Sequence, residues 1–238
     1  MTASTPIWCV VPAAGVGKRF GADIPKQYLT LVGKTLCEHS LERLLQVEQI
    51  QRIVVAISPE DERFGTLPVA RNNRIMTTIG GAERCHSVLH GLHALQSEAA
   101  DEDWVLVHDV ARPCVRPADV RNLIHQVLSH NAIGGILANP VRDTMKRADA
   151  HHHIQETVSR DHLWHALTPQ LFPLGLLRDA LEAALADHAL VTDEASALER
   201  LGHRPLLVEA HADNIKITRP QDLTLATLFL QQQQQETF

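Results

Sequence analysis

Residues 7–15 read Ile-Trp-Cys-Val-Val-Pro-Ala-Ala-Gly, an apolar run closed by proline and glycine. Five apolar residues, two of them adjacent valines, suit a strand covered on both faces, and Pro12 to Gly15 mark its exit into a turn. Similar short runs follow at Arg52–Ser58, Arg74–Ile79, Asp103–His108, Ile133–Ala138 and Leu206–Glu209. Between them lie segments with helical spacing. Leu36, Leu41, Leu44 and Leu45 mark a helix over Thr35–Val47, and Val88, Leu89, Leu92 and Leu95 mark one over Ser87–Leu95. Val120, Leu123, Ile124, Val127 and Leu128 do so over Pro117–Ser129, and a terminal helix is predicted over Asp222–Gln231. Strands alternating with helices imply an α/β, Rossmann-like fold: a mostly parallel twisted sheet with helices on both faces.

One segment interrupts this rhythm. From Val141 to Arg160 the chain is polar and charged, with partial alternation at Ile154, Thr157 and Val158. It reads as an inserted β-arm on a single domain spanning 1–238. Gln231–Gln235 reads as a frayed polar tail, and no repeat of 20–50 residues is evident.

The chain has 238 residues and a formal net charge of −6. Its length suits one large domain, and the acidic balance argues against a general nucleic-acid binder, since the phosphate backbone rewards a basic surface. No apolar run is long enough for a transmembrane helix. Met1–Pro6 lacks a basic segment of secretory type. The four cysteines, Cys9, Cys37, Cys85 and Cys114, form no C-x-x-C pair, so a reducing, cytoplasmic setting is expected. The His151–His153 run is read as a solvated turn rather than a metal site, which would need fixed geometry and supporting hydrogen bonds.

The loop after the first strand carries the chemistry. Residues 12–20 are Pro-Ala-Ala-Gly-Val-Gly-Lys-Arg-Phe. A glycine-rich exit from a strand offers backbone N–H groups to a phosphate. A P-loop would need glycine at 12 and Ser or Thr at 19, where Pro12 and Arg19 stand. A dinucleotide fingerprint would need a third glycine where Phe20 stands, and an acidic residue after the second strand, where Ser58-Pro59 stands. In their place the loop has cations, Lys18 and Arg19, followed by Pro25-Lys26-Gln27. Fixed cations suit a phosphoryl transition state; a solvated basic loop is the alternative from these residues alone.

Further blocks follow in order. They are Gly80-Gly81 with Glu83-Arg84 and Ser87, His108-Asp109-Val110-Ala111-Arg112-Pro113, Pro140–Lys146, Trp164–Gln170, Thr192–Glu199 and Asp213–Pro220. With the first loop and Pro25-Lys26-Gln27, this ordered set resembles the sugar-phosphate nucleotidyltransferases. Within them it is most similar to the cytidylyltransferases acting on 2-C-methyl-D-erythritol 4-phosphate in non-mevalonate isoprenoid synthesis. The resemblance covers roughly residues 10–222. The family pattern departs at Ala82, where aspartate is frequent, and at Val110, where alanine is common.

The resemblance implies cytidylyl transfer from CTP to the polyol phosphate with release of pyrophosphate, in a homodimer joined through the 141–160 arm. A ribitol 5-phosphate enzyme would share the CTP loop, and a non-catalytic nucleotide-binding module would need neither Lys26 nor Asp109. The substrate phosphate is itself the nucleophile, so cations rather than a general base carry the reaction. The implied catalytic pair is Arg19 and Lys26. The implied nucleotide site is Pro12, Ala13, Ala14, Gly15, Gly17, Gly80, Gly81, Glu83, Ser87 and Asp109. Asp109 is also the implied ligand for Mg²⁺ or another divalent cation, whose preference is for oxygen. The polyol-phosphate side is implied at Arg112, Thr144, Arg160, Thr168, Asp213 and Lys216. Thr192-Asp193-Glu194 reads as a helix cap through Leu198 rather than a catalytic group.

Overall fold

The computed structural model describes residues 5–15 and 24–236. The strands are β1 (Ile7–Pro12), β2 (Thr30–Leu31), β3 (Lys34–Thr35), β4 (Ile50–Ile57), β5 (Ile75–Ile79) and β6 (Trp104–Val107). They continue as β7 (Gly135–Pro140), β8 (Met145–Ala148), β9 (Ile154–Val158), β10 (Trp164–Pro173) and β11 (Leu206–Glu209). The helices are α1 (Leu36–Leu45), α2 (Arg84–Leu95), α3 (Pro117–Ser129), α4 (Leu174–Ala186), α5 (Glu194–Arg200) and α6 (Gln221–Glu236).

Seven strands form one sheet in the order β11-β7-β10-β6-β1-β4-β5. β1 runs parallel to β4 and β6, β4 to β5, and β7 to β11, while β10 is antiparallel to both its neighbours. The expected mostly parallel α/β sheet is present. The antiparallel β10 and helix α4 are additions that the sequence patterns did not lead us to expect.

Period-two alternation sorts β1 between two cores. Ile7, Cys9 and Val11 pack with Leu41 and Leu44 of α1 and Leu123 and Val127 of α3. Trp8 and Val10 pack on the other face with Val88 and Leu92 of α2 and Leu177 and Leu181 of α4. Gly91 lets α2 lie close on the sheet, since a Cβ there would sit 2.4 Å from Val10 Cγ1. Two capping boxes start helices. Thr35 and Glu38 begin α1, and Asp193 and Ser196 begin α5, satisfying amide groups with no partner inside the helix.

The tail departs from expectation. Residues 231–235 continue α6, which ends at Glu236. Glutamine sustains a helix well, and the Gln233 amide is buried, donating to the Cys114 carbonyl at 2.9 Å and to Asp213 Oδ2 at 2.8 Å. The arm is the β8–β9 hairpin, a separate two-stranded sheet whose side chains are almost all exposed.

Candidate functional site

The chain runs from β1 through β4 to β5 on one side of β1, then returns through α2 to β6 on the other. The strand order therefore reverses between β1 and β6, and ligands of open α/β sheets gather beyond the carboxyl ends of strands at such a point. A cleft of about 580 Å³ lies there. Its walls come from the residues after β1 (Pro12–Gly15), after β4 (Ser58 and Pro59), after β5 (Gly80–Arg84) and after β6 (Asp109–Ala111), with Lys26, Gln27, Ser87 and Lys216.

The turn after β5 has to be built from glycine. A Cβ on Gly80 would stand 2.5 Å from Ala14 Cβ and 2.9 Å from Ser87 Oγ, and one on Gly81 would stand 2.3 Å from His86 Cβ. Ser87 Oγ accepts the Gly81 amide at 3.0 Å and fixes the turn. Gln27 is buried and donates to the Ala13 carbonyl at 2.8 Å, tying the segment that carries Lys26 to the loop after β1. Lys26 Nζ donates to the Ile217 carbonyl at 3.2 Å.

Asp109 is the charged hub, only 6% exposed. Its Oδ1 accepts from Arg84 Nε at 2.8 Å and its Oδ2 pairs with Lys216 Nζ at 2.7 Å. Burial by itself would raise its pKa, but the Arg84 and Lys216 cations hold the carboxyl well below the usual carboxylate range. Its ion pairs are therefore intact at neutral pH and lost only in strong acid. Arg84 is clamped in turn by Glu194, with Nη1–Oε1 at 2.5 Å and Nη2–Oε2 at 3.0 Å.

Behind Asp109 sits a buried polar layer. The Asp109 amide donates to Thr168 Oγ1 at 3.0 Å, and the same hydroxyl lies 3.1 Å from His108 Nδ1. Burial pushes the His108 pKa down to about 4, so the imidazole is neutral. Its Nε2 faces the Arg112 carbonyl at 3.2 Å. Arg112 donates to the Asn214 carbonyl at 2.8 Å, and Asn214 Nδ2 to the Thr168 carbonyl at 2.9 Å. Arg112 Nε lies 3.8 Å from Asp109 Oδ2, too far for a hydrogen bond.

Of the residues singled out from sequence, Pro12, Ala13, Ala14, Gly15, Lys26, Gly80, Gly81, Glu83, Ser87, Asp109 and Lys216 line the cleft. Arg112 and Thr168 stand in the layer behind Asp109. Asp213 is buried away from the cleft: Arg116 Nη2 lies 2.6 Å from its Oδ2, which also accepts from Gln233. Thr144 and Arg160 are exposed beside the arm, where Arg160 donates to the Arg142 carbonyl. Arg19 and Gly17 lie outside the described residues. Two partners were missed as site residues. Arg84 belongs to a quoted block, and Glu194 was read only as part of a cap. Asp193 does cap α5, while Glu194, 1% exposed, faces the site.

The donor chemistry at Asp109 fits a divalent cation. A magnesium ion is usually held by one or two carboxylates together with substrate phosphates and water. Asp109 supplies one carboxylate held ionised at neutral pH by its cationic partners, and each of its oxygens has lone-pair capacity beyond the single cationic donor it now accepts.

Comparison with known proteins gives a consistent picture. A family model described as 2-C-methyl-D-erythritol 4-phosphate cytidylyltransferase matches residues 7–232. The protein so named from Serratia proteamaculans is 51% identical over 228 residues, covering 95% of both chains. That from Tolumonas auensis is 53% identical over 227 residues, covering 95% of this chain and 97% of its own. A crystal structure of the protein so named from Francisella tularensis superposes with a TM-score of 0.82 at 37% identity, covering 94% of this chain and 100% of that one.

Proposed function

Since the chain belongs to the family of 2-C-methyl-D-erythritol 4-phosphate cytidylyltransferases, we propose how its residues divide the work of that reaction. The enzyme transfers the cytidylyl group of CTP to 2-C-methyl-D-erythritol 4-phosphate. The products are 4-diphosphocytidyl-2-C-methyl-D-erythritol and pyrophosphate, and the step belongs to non-mevalonate isoprenoid synthesis. The observation that carries the assignment is the full-length match together with a cleft at the strand-order reversal, lined by cations.

The nucleophile is an oxygen of the substrate phosphate, already ionised at neutral pH. It attacks the α-phosphorus in line and displaces pyrophosphate, so no proton has to be removed. What the protein must supply is positioning of two anions and neutralisation of charge that builds on the α-phosphate. We assign neutralisation to Lys26 and Arg19. Pro12–Gly15, Gly17, Gly80, Gly81, Glu83 and Ser87 hold the nucleotide. Small side chains and fixed backbone groups there favour a pyrimidine over a larger purine. Asp109 would hold Mg²⁺ or another divalent ion, which when bound would supply positive charge to the phosphates. Lys216 meets the anions from beside Asp109, Arg112 and Thr168 back the polyol-phosphate side from the layer behind it, and Asp213, held by Arg116 and Gln233, supports that side from outside the cleft.

We further assign one domain to 1–238, with 141–160 as the arm that joins two copies and brings Thr144 and Arg160 to the polyol-phosphate site. A lone two-stranded hairpin is marginal in water, and Ile154 on this one is 66% exposed. Sedimentation velocity at micromolar concentration is expected to give twice the 26.4 kDa chain mass, and Ile154→Asp to shift the protein toward monomer with loss of activity. A fully active monomer would refute this arrangement. Four free, buried cysteines suit a reducing compartment, and we place the enzyme in the cytoplasm.

The direct test of the reaction is pyrophosphate release with CTP against a panel of polyol phosphates. Release is expected with methylerythritol phosphate and at least about tenfold less with ribitol 5-phosphate, since loss of well-placed hydrogen bonds discriminates that strongly. Release with ribitol 5-phosphate alone would move the substrate assignment.

A further inference from the structure

The start of α2 carries a cluster of which the proposed cytidylyl transfer uses only Glu83. Glu83, Cys85 and His86 bring a carboxylate oxygen, a thiol sulfur and a ring nitrogen within 4.8 Å of one another. Among the described residues no other group of three such side chains converges in this way. Each is under-used by the fold. Glu83 is the residue that caps α2, yet its side chain accepts no capping hydrogen bond. Cys85, 7% exposed, packs in the core beneath α2, and its thiol makes just one side-chain contact, a long one from Sγ to Glu83 Oε2 at 3.9 Å. His86 Nδ1 is buried with no hydrogen-bond partner, and a buried polar atom in that condition calls for an explanation.

The geometry points to a transition-metal site formed by Glu83, Cys85 and His86, open at its fourth position, at the rim of the nucleotide cleft. Thiolate with imidazole selects zinc-like ions, whereas the oxygen chemistry of Asp109 selects magnesium. Bonds of about 2.0–2.3 Å place the donors of a tetrahedral zinc site roughly 3.5 Å apart. Since the three donors lie within 4.8 Å of one another, closing to that spacing takes side-chain movements on the order of 1 Å. On ligation the Cys85 thiol gives its proton to solvent and the thiolate binds the metal.

Occupancy has a functional consequence that rests on the nucleotide assignment made above. Glu83 lines the cleft, and His86 packs directly on Gly81 in the turn that shapes it. A carboxylate committed to the metal is withdrawn from the nucleotide. Zinc therefore competes with CTP.

Cobalt(II), a spectroscopic substitute for zinc, tests the site independently of catalysis. Titration of the full-length, chelator-treated enzyme is expected to give a thiolate-to-cobalt charge-transfer band that saturates at one ion per chain. The band should vanish in Cys85→Ser and in Cys85→Ala, and His86→Ala should weaken cobalt binding at least tenfold. Circular dichroism identifies the variants that fold, and two Cys85 replacements guard against one that does not. Cys9, Cys37 and Cys114 are each 0% exposed, and the exposed His151–His153 turn has no thiol, so the band reports on Cys85. Absence of the band, or its survival in both Cys85 variants, overturns the site. In the same preparations, zinc at saturating magnesium should raise KM for CTP several-fold in the wild type and leave it unchanged in Cys85→Ser. A band without that KM effect supports the metal site and overturns its coupling to the cleft. A band in a protein that releases no pyrophosphate would count against the cytidylyltransferase reading alone.

Discussion

Lys26→Ala is expected to lower kcat by about 10²–10³-fold, the range for removing one fixed donor that faces charge developing in a transition state. The fold should survive the change. Lys26 opens a single 3₁₀ turn whose next two residues are anchored independently of it. Gln27 is bonded to the Ala13 carbonyl at 2.8 Å, and the Tyr28 hydroxyl donates to Asp61 at 2.5 Å. The lysine itself, half-buried on the cleft wall, has its ammonium 3.2 Å from the Ile217 carbonyl. Truncation therefore removes a positive charge from the reaction zone and leaves the backbone that carried it. Steady-state pyrophosphate release and a thermal melt separate the two effects. Near-normal turnover would remove Lys26 from catalysis, and a collapsed melt would show that the turn depends on it. Lys26→Arg should recover only part of the rate, because a planar guanidinium does not reproduce a compact point charge.

The parts of the fold that could be read from sequence are those where a local pattern and the tertiary environment agree. β1, β6 and the Ile53–Ala56 stretch of β4 are buried on both faces, and their uninterrupted apolar runs say so. α3 begins at Pro117, where proline costs no hydrogen bond, and its observed bounds coincide with the expected ones. β10 was harder. It contains Pro169 and Pro173, and its ladder to β7 is irregular between Ala166 and Gln170, so its sequence lacks clean alternation. In α4, Leu174, Leu177, Leu181 and Ala184 recur at helical spacing and are buried, so a signal was present there. The polar tail misled because only one of its glutamines, Gln233, turns inward, and composition alone does not distinguish that side chain from its solvated neighbours.

The candidate site divides in the same way. Backbone-built parts, such as Pro12–Gly15 and Gly80-Gly81, are visible as small-residue turns after strands. Charge pairs are not, because their members are far apart in the chain. Asp109 meets Lys216 across 107 positions, and Arg84 meets Glu194 across 110. Asp213 shows the converse. Its carboxylate suits a polyol in isolation, yet the fold gives one of its oxygens to Arg116 and Gln233 beneath α6. The net charge of −6 also hides local sign. Lys26, Arg84 and Lys216 reach one cleft from separate segments, while Arg112 backs them from the layer behind.

The Arg84–Glu194 pair leads to the second large effect. Glu194→Ala is expected to cost about 2–3 kcal/mol of stability, below the range for breaking a fully buried pair because Asp109 stays beside Arg84 and the arginine is partly solvated. The glutamate carboxylate is 1% exposed and the Arg84 side chain 28%. Without its clamp, Arg84 loses two of the three bonds that aim it, and Asp109 then shares a less constrained guanidinium. Glu194 would thus act as a positioning residue, through Arg84, on the carboxylate to which we assign the divalent ion. The expected kinetic signature is a drop in kcat/KM of about tenfold, equivalent to about 1.4 kcal/mol of transition-state stabilisation, together with a higher magnesium concentration for half-maximal rate. Glu194→Gln preserves volume and one acceptor, so it should recover much of both the stability and the magnesium response. Assays run well below the melting temperature of each variant keep stability and turnover apart. A destabilised Glu194→Ala enzyme with wild-type kcat/KM and wild-type magnesium dependence would reduce Glu194 to a packing role. A shifted magnesium response is a readout that a packing role would not move, and its recovery in the neutral Glu194→Gln would assign the positioning of Arg84 to the retained acceptor rather than to the glutamate charge.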